Sequence, residues 1–125
     1  MSSPFILIVE DDTHLAHIFT LTLRSIGLET KNITDGRLAL EYLADHTPDL
    51  VLLDLNLPNA SGLDILHYIR HIRQLDGLPV ILATADDRMG ETLRPEVDLL
   101  LLKPVSPEQL RLLVGRLLSK TKDGN

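Results

Sequence analysis

Four apolar runs in this chain end in residues that can do chemistry. The run at 5–9 is followed by Glu10, Asp11 and Asp12, the run at 50–53 by Asp54, the run at 80–83 by Thr84, and the four leucines at 99–102 by Lys103 and Pro104. A carboxylate set among leucines costs several kcal/mol unless a counter-charge or hydrogen-bond donors meet it. If the first and third runs are neighbouring strands, three carboxylates converge, and like charges in a low-dielectric site call for a cation. A hard divalent ion answers that need with oxygen ligands; Mg²⁺ would take one or two of the carboxylates, a carbonyl and waters. Lys103 adds a point charge on the other side of Asp54.

Those residues need a scaffold that brings distant run ends together, and the hydrophobic pattern supplies one. After the apolar run at 5–9, Leu15, Ile18, Phe19, Thr22, Leu23 and Ile26 recur at helix-face spacing as far as Gly27. The stretch 28–33 alternates like a partly exposed edge strand, and 35–46 carries Leu38, Ala39, Tyr42 and Leu43 on one side. The run ending in Asp54 leads through a Pro/Asn/Ser/Gly loop, shaped by Pro58 and Gly62, into Ile65, Tyr68, Ile69 and Ile72, and then into the run at 78–84. Gly90 and Pro95 predict a short or irregular fourth helix. The segment 97–103 reads as a buried strand, and Leu110, Leu113, Val114 and Leu117 mark a last helix opened by Ser106 and Pro107. Five such units imply a parallel sheet covered by helices on both faces. In sheets of this kind ligands bind beyond the carboxyl ends of the strands.

Composition sets the limits. At 125 residues and 44% hydrophobic, the chain is expected to be one domain over 1–125, with an ordered core of about 4–119 and a polar tail at 120–125. The absence of cysteine excludes a disulfide framework and thiolate chemistry. No apolar stretch approaches the length of a membrane span, and the start lacks a basic n-region, so a cytoplasmic protein without membrane contact is expected. Eighteen acidic against twelve basic residues give a net charge of −6, which argues against direct nucleic-acid binding.

The four motifs, ILIVEDD at 6–12, LLDLNLPNASG at 52–62, VILATA at 80–85 and LLLLKP at 99–104, resemble in order and spacing the receiver domain of two-component response regulators. The resemblance extends to about Ser119. It implies a flavodoxin-like α/β fold, a doubly wound five-stranded parallel sheet in the order 2-1-3-4-5. It also implies that Asp54 accepts a phosphoryl group, that Asp11 ligates Mg²⁺ directly and Glu10 through water, and that Asp54 and the backbone carbonyl of Asn56 complete the metal set. Thr84 would bind the phosphoryl group in the active state and Lys103 would pair with its oxygens. The expected donor is a phosphohistidine on a sensor histidine kinase or a phosphotransfer protein, and the expected recipient of the signal is an output domain or protein. The chain would be a signalling switch, assisting its own phosphorylation and slow dephosphorylation, rather than a conventional enzyme. Phosphoryl transfer suits these residues, since it needs an in-line nucleophile and cations at the equatorial oxygens.

Rival readings are weaker. A nucleotide hydrolase would need a G-x-x-x-x-G-K-[ST] loop, which is absent, and a haloacid-dehalogenase-like phosphatase would want an acid where Asn56 stands. A receiver-like binding module that acts without phosphorylation keeps the fold but has no use for the full set of site residues. Asp12 reads as a helix N-cap rather than a ligand. The pairs His14/His17 and His67/His71 read as solvated helix-face residues. Two departures from the family pattern concern the output: Leu100 stands where an aromatic is usual, and the link from Thr84 to Lys103 is short.

Overall fold

Five short runs, four of them almost wholly apolar, form the strands β1 (Phe5–Val9), β2 (Glu29–Ile33), β3 (Leu50–Leu53), β4 (Val80–Thr84) and β5 (Leu99–Leu102) in a computed structural model that describes residues 3–123. All neighbours pair in parallel, in the order β2-β1-β3-β4-β5. This is the expected doubly wound, flavodoxin-like sheet. Between the strands lie α1 (Thr13–Arg24), α2 (Gly36–Asp45), α3 (Gly62–His67), α4 (Asp87–Leu93) and α5 (Pro107–Asp123).

Strand alternation divides the core in two. Leu7, Val9, Val51, Leu53, Val80 and Leu82 face α2, α3 and α4, where they meet Ala39, Leu43, Ile65, Ile69 and Leu93. Ile6, Ile8, Leu50, Leu52, Ile81 and Ala83 face α1 and α5, against Phe19, Leu23, Leu110 and Val114. Each large side chain so buried contributes about 1.5–3 kcal/mol, and burial on both faces explains why the inner strands read as continuous apolar runs.

The helices start where acids or serine can cap them. Asp12, Asp35 and Asp86 accept from the backbone N–H of Leu15, Leu38 and Met89 at the starts of α1, α2 and α4, each at 3.0 Å. Ser61 and Asp64 form a reciprocal capping box on α3. The fourth helix is short, as Gly90 and Pro95 predict, and passes into a 3₁₀ turn at Arg94–Glu96.

Two expectations are modified. Ile72 is mostly exposed rather than facing the core, because α3 continues into a π turn at Tyr68–Ile72 that adds a residue to the turn and rotates Ile72 outward. The fifth strand lies at a sheet edge, which leaves Leu102 exposed at its end. The last helix, α5, extends to Asp123, within the polar stretch 120–125; positions 124 and 125 lie outside the described residues. Among the described residues no helix is long and apolar enough to cross a membrane.

Candidate functional site: an acid cluster at the carboxyl edge of the sheet

β1 and β3 are adjacent, with Val9 opposite Leu53, so the residues that follow them leave the sheet side by side. The backbone N–H of Asp54 still donates to the Val9 carbonyl at 3.0 Å, and that of Glu10 to the Ile33 carbonyl at 3.1 Å. The first bond locks β3 to β1 at the site; the second locks β1 to β2. Glu10, Asp11 and Asp54 thereby place one carboxylate oxygen each within 4.8 Å of one another. Glu10 and Asp54 are buried, at 2% and 6% exposure, while Asp11 is exposed. Asp12 stays out of the cluster as the α1 cap.

Lys103 reaches this cluster from β5 because the Lys103 N–H donates to the Thr84 carbonyl at 2.9 Å, extending the β4–β5 ladder past its last pair. Its ammonium lies 2.8 Å from Glu10 Oε1 and 3.5 Å from Asp54 Oδ1. Burial disfavours a charge on Lys103, but the hydrogen bond to Glu10 and the charges of Asp54 and Glu10 outweigh it, so its pKa lies above the usual lysine range. Glu10 moves upward too, chiefly through burial and then through the neighbouring charge of Asp54, against the opposing bond from Lys103. One ammonium therefore serves two buried carboxylates. Three hard oxygen donors sharing one cation suit a further hard divalent ion such as Mg²⁺.

Thr84 is fully buried at the end of β4, and its hydroxyl oxygen accepts the Asp86 backbone N–H at 3.0 Å. Its methyl group and the Leu100 side chain both lie against Gly90 of α4. Asn56 sits in the exposed loop two residues beyond Asp54. The sites read from the sequence thus fall into three groups: Glu10, Asp11, Asp54 and Lys103 in the cluster, Asn56 in the exposed loop after β3, and Thr84 on the α4 side with Leu100.

A model of the response regulator receiver domain matches residues 6–115. The chain belongs to that family. This receiver domain is 40% identical over 108 residues to the DNA-binding response regulator MtrA of Mycobacterium leprae, covering 84% of this chain and 47% of MtrA. It spans about half the length of such relatives, and a quarter of the luminescence regulatory protein LuxO of Vibrio campbellii, to which it is 33% identical over 90% of its own length. Among solved structures, the receiver domain of a LuxO repressor from Vibrio parahaemolyticus superposes with a TM-score of 0.87 at 28% identity, covering 96% of this chain and 93% of that one. The response regulator TrrA of Thermotoga maritima, solved in complex with Mg²⁺-BeF, superposes with a TM-score of 0.82 at 27% identity, covering 91% and 98%.

One contributor to the site, and one residue remote from it, lie outside the motifs. Asn32 on β2 donates through its amide to the carbonyls of Ile8 (3.1 Å) and Glu10 (3.3 Å), holding the end of β1 where the acids leave it. Its signal in the sequence is an asparagine inside a strand, where that residue is disfavoured unless its amide has partners. Arg70 donates to the carbonyls of Leu75, Leu78 and Glu96 and to Asp98 Oδ2, at 2.6–3.1 Å, tying α3 to the strand starts and to the segment after α4. No feature of the sequence around Arg70 marks it.

Proposed function

We propose that Asp54 accepts a phosphoryl group from the phosphohistidine of a sensor histidine kinase or phosphotransfer protein, and that the aspartyl phosphate changes the surface shown to an output domain or protein. The whole stretch 1–125 acts as one receiver unit in this reading. The observation that carries it is the convergence of Glu10, Asp11 and Asp54 within 4.8 Å, with Lys103 beside Asp54.

A carboxylate oxygen of Asp54 attacks phosphorus in line; the O–P bond forms as the N–P bond breaks, and the electron pair returns to the imidazole nitrogen of the donor. Asp54 is held for this by its backbone bond to Val9 and by its place at the strand end. Lys103 neutralises charge on the phosphoryl oxygens, for which its ammonium turns from Glu10 toward Asp54. Asp11, Asp54 and the Asn56 carbonyl would hold Mg²⁺, with Glu10 reaching it through water, and the ion when bound would supply positive charge to the same oxygens. The Thr84 side chain, whose hydroxyl oxygen accepts the Asp86 N–H at rest, turns to donate its O–H to a phosphoryl oxygen.

Incubation with acetyl phosphate and MgCl₂, followed by mapping of the adduct, tests this. One phosphoryl group on Asp54, lost in Asp54→Ala and on chelation of Mg²⁺, is expected. Labelling that survives either change overturns the reading.

A further inference from the structure

The loop after Asp54 is tied to a part of the fold that takes no part in the chemistry. Its far end is already secured: the Gly62 N–H donates to the Leu55 carbonyl at 2.9 Å, and a Cβ at Gly62 would collide with the Asp54 carbonyl oxygen, so only glycine lets the loop close onto the backbone of Asp54. Its tip, 58–60, is held by the start of α2. The Asn59 side-chain amide donates to Asp35 Oδ2, and the Gly36 N–H donates to the Pro58 carbonyl at 3.0 Å. A Cβ at Gly36 would run into the Ala60 carbonyl oxygen, so glycine is also what allows this approach.

Asn59 itself has φ of 70°, a left-handed conformation that asparagine tolerates better than most residues. Its amide is aimed at Asp35 by a backbone turn that the tip must hold. Asp35 divides its two oxygens: Oδ1 caps α2 through the Leu38 N–H at 3.0 Å, and Oδ2 takes Asn59. These two bonds, that of Leu38 first, hold the carboxyl below its usual range. The bonds that hold the loop use the carbonyls of Leu55 and Pro58 and not that of Asn56, which lies between them in an exposed stretch.

We infer that Asp35 and Asn59 form a clasp, admitted by Gly36, that fixes the loop so that the Asn56 carbonyl stands ready for the cation bound by Asp11 and Asp54. Both are positioning residues that touch neither the ion nor the phosphoryl group. The inference rests on the Mg²⁺ reading of the acid cluster. Partners one shell out from a metal ligand set its orientation, and their loss typically lowers metal affinity by ten- to a hundred-fold.

The clasp can be opened without disturbing either of its neighbours. Asp35→Ser keeps an oxygen for the Leu38 cap but is too short to reach Asn59, and Asn59→Gly keeps the left-handed backbone but has no amide. MgCl₂ titration by calorimetry, with melting temperatures in EDTA as a measure of the fold, gives the test. Each variant is expected to weaken Mg²⁺ binding about ten-fold with little change in the EDTA melting temperature. The two together weaken it no further than either alone. The exchanged pair, Asp35→Asn with Asn59→Asp, restores binding because donor and acceptor merely trade places. Unchanged Mg²⁺ affinity in both single variants, fully additive losses, or failure of the exchanged pair to restore binding overturns the clasp. Absence of Mg²⁺ binding by the unsubstituted chain overturns the reading beneath it, and the clasp with it.

Discussion

The ammonium of Lys103 lies 2.8 Å from Glu10 and 3.5 Å from Asp54, so the resting lysine is bonded to the acid at the end of β1 rather than to the one at the end of β3. The two acids are nearly inaccessible to water, and the lysine is the cation that they share. Lys103→Gln therefore leaves two buried carboxylates without compensation. A loss of about 3 kcal/mol in unfolding free energy without Mg²⁺ is expected, at the lower end for a broken buried pair because Lys103 is partly exposed. Urea titration in EDTA measures it. Mg²⁺ should return part of that stability while phosphorylation by acetyl phosphate stays slower by about a hundred-fold.

Glu10 makes the opposite contribution. Its pKa is raised by burial and by Asp54, so the folded state holds a proton at Glu10 more tightly than the unfolded chain does. Its effect is favourable below the ordinary value of 4.5 and is lost as pH rises through the folded value, which makes the ionised form a burden at neutral pH. Glu10→Gln is expected to raise the melting temperature in EDTA at pH 7, with an advantage that shrinks as pH falls toward 4. It should also weaken the response to Mg²⁺. An advantage that grows on acidification would contradict the assignment.

The output route is expected to differ from the family's usual one, because Leu100 has neither a ring to swing nor a polar tip to exchange partners. Leu100 is packed in the core, and a Cβ on Gly90 would lie 2.8 Å from its Cδ1 and 3.3 Å from the Thr84 methyl, so α4 presses directly on both. The Thr84 hydroxyl also holds the first turn of α4 through the Asp86 N–H. When that hydroxyl turns to a phosphoryl oxygen, the turn loses its acceptor. Amide exchange at Asp86 and along 87–93 is expected to rise several-fold with beryllofluoride in the unsubstituted chain, and not in Thr84→Val, with Leu100 keeping its rotamer.

Arg70 is a stability residue remote from the acids. Its guanidinium donates to four carbonyls and to Asp98 from one planar fork, and its side chain is only 11% exposed. A lysine has three N–H donors on one nitrogen and cannot serve all of these acceptors. Arg70→Lys is expected to cost about 2 kcal/mol in urea unfolding while leaving the rate of phosphorylation unchanged.

The sequence alone determined the alternation of strands and helices, because a strand buried on both faces must be apolar throughout and a helix buried on one side must repeat its apolar residues near 3.6. It also marked Glu10, Asp11, Asp54, Thr84 and Lys103, since a polar residue that closes an apolar run is visible without any neighbour. What it could not contain were relations between elements far apart in the chain. The preference of Lys103 for Glu10 depends on how far β5 is carried past β4 by one backbone bond, and the hold of Asn32 on the Glu10 carbonyl depends on the register of β1 against β2. Asp35 reads as a helix cap from local spacing, but its second oxygen meets Asn59 only because the sheet order sets α2 beside the loop after β3. Ile72 shows the same limit within one helix: its spacing is that of a core residue, and a single π turn at Tyr68–Ile72 carries it into solvent.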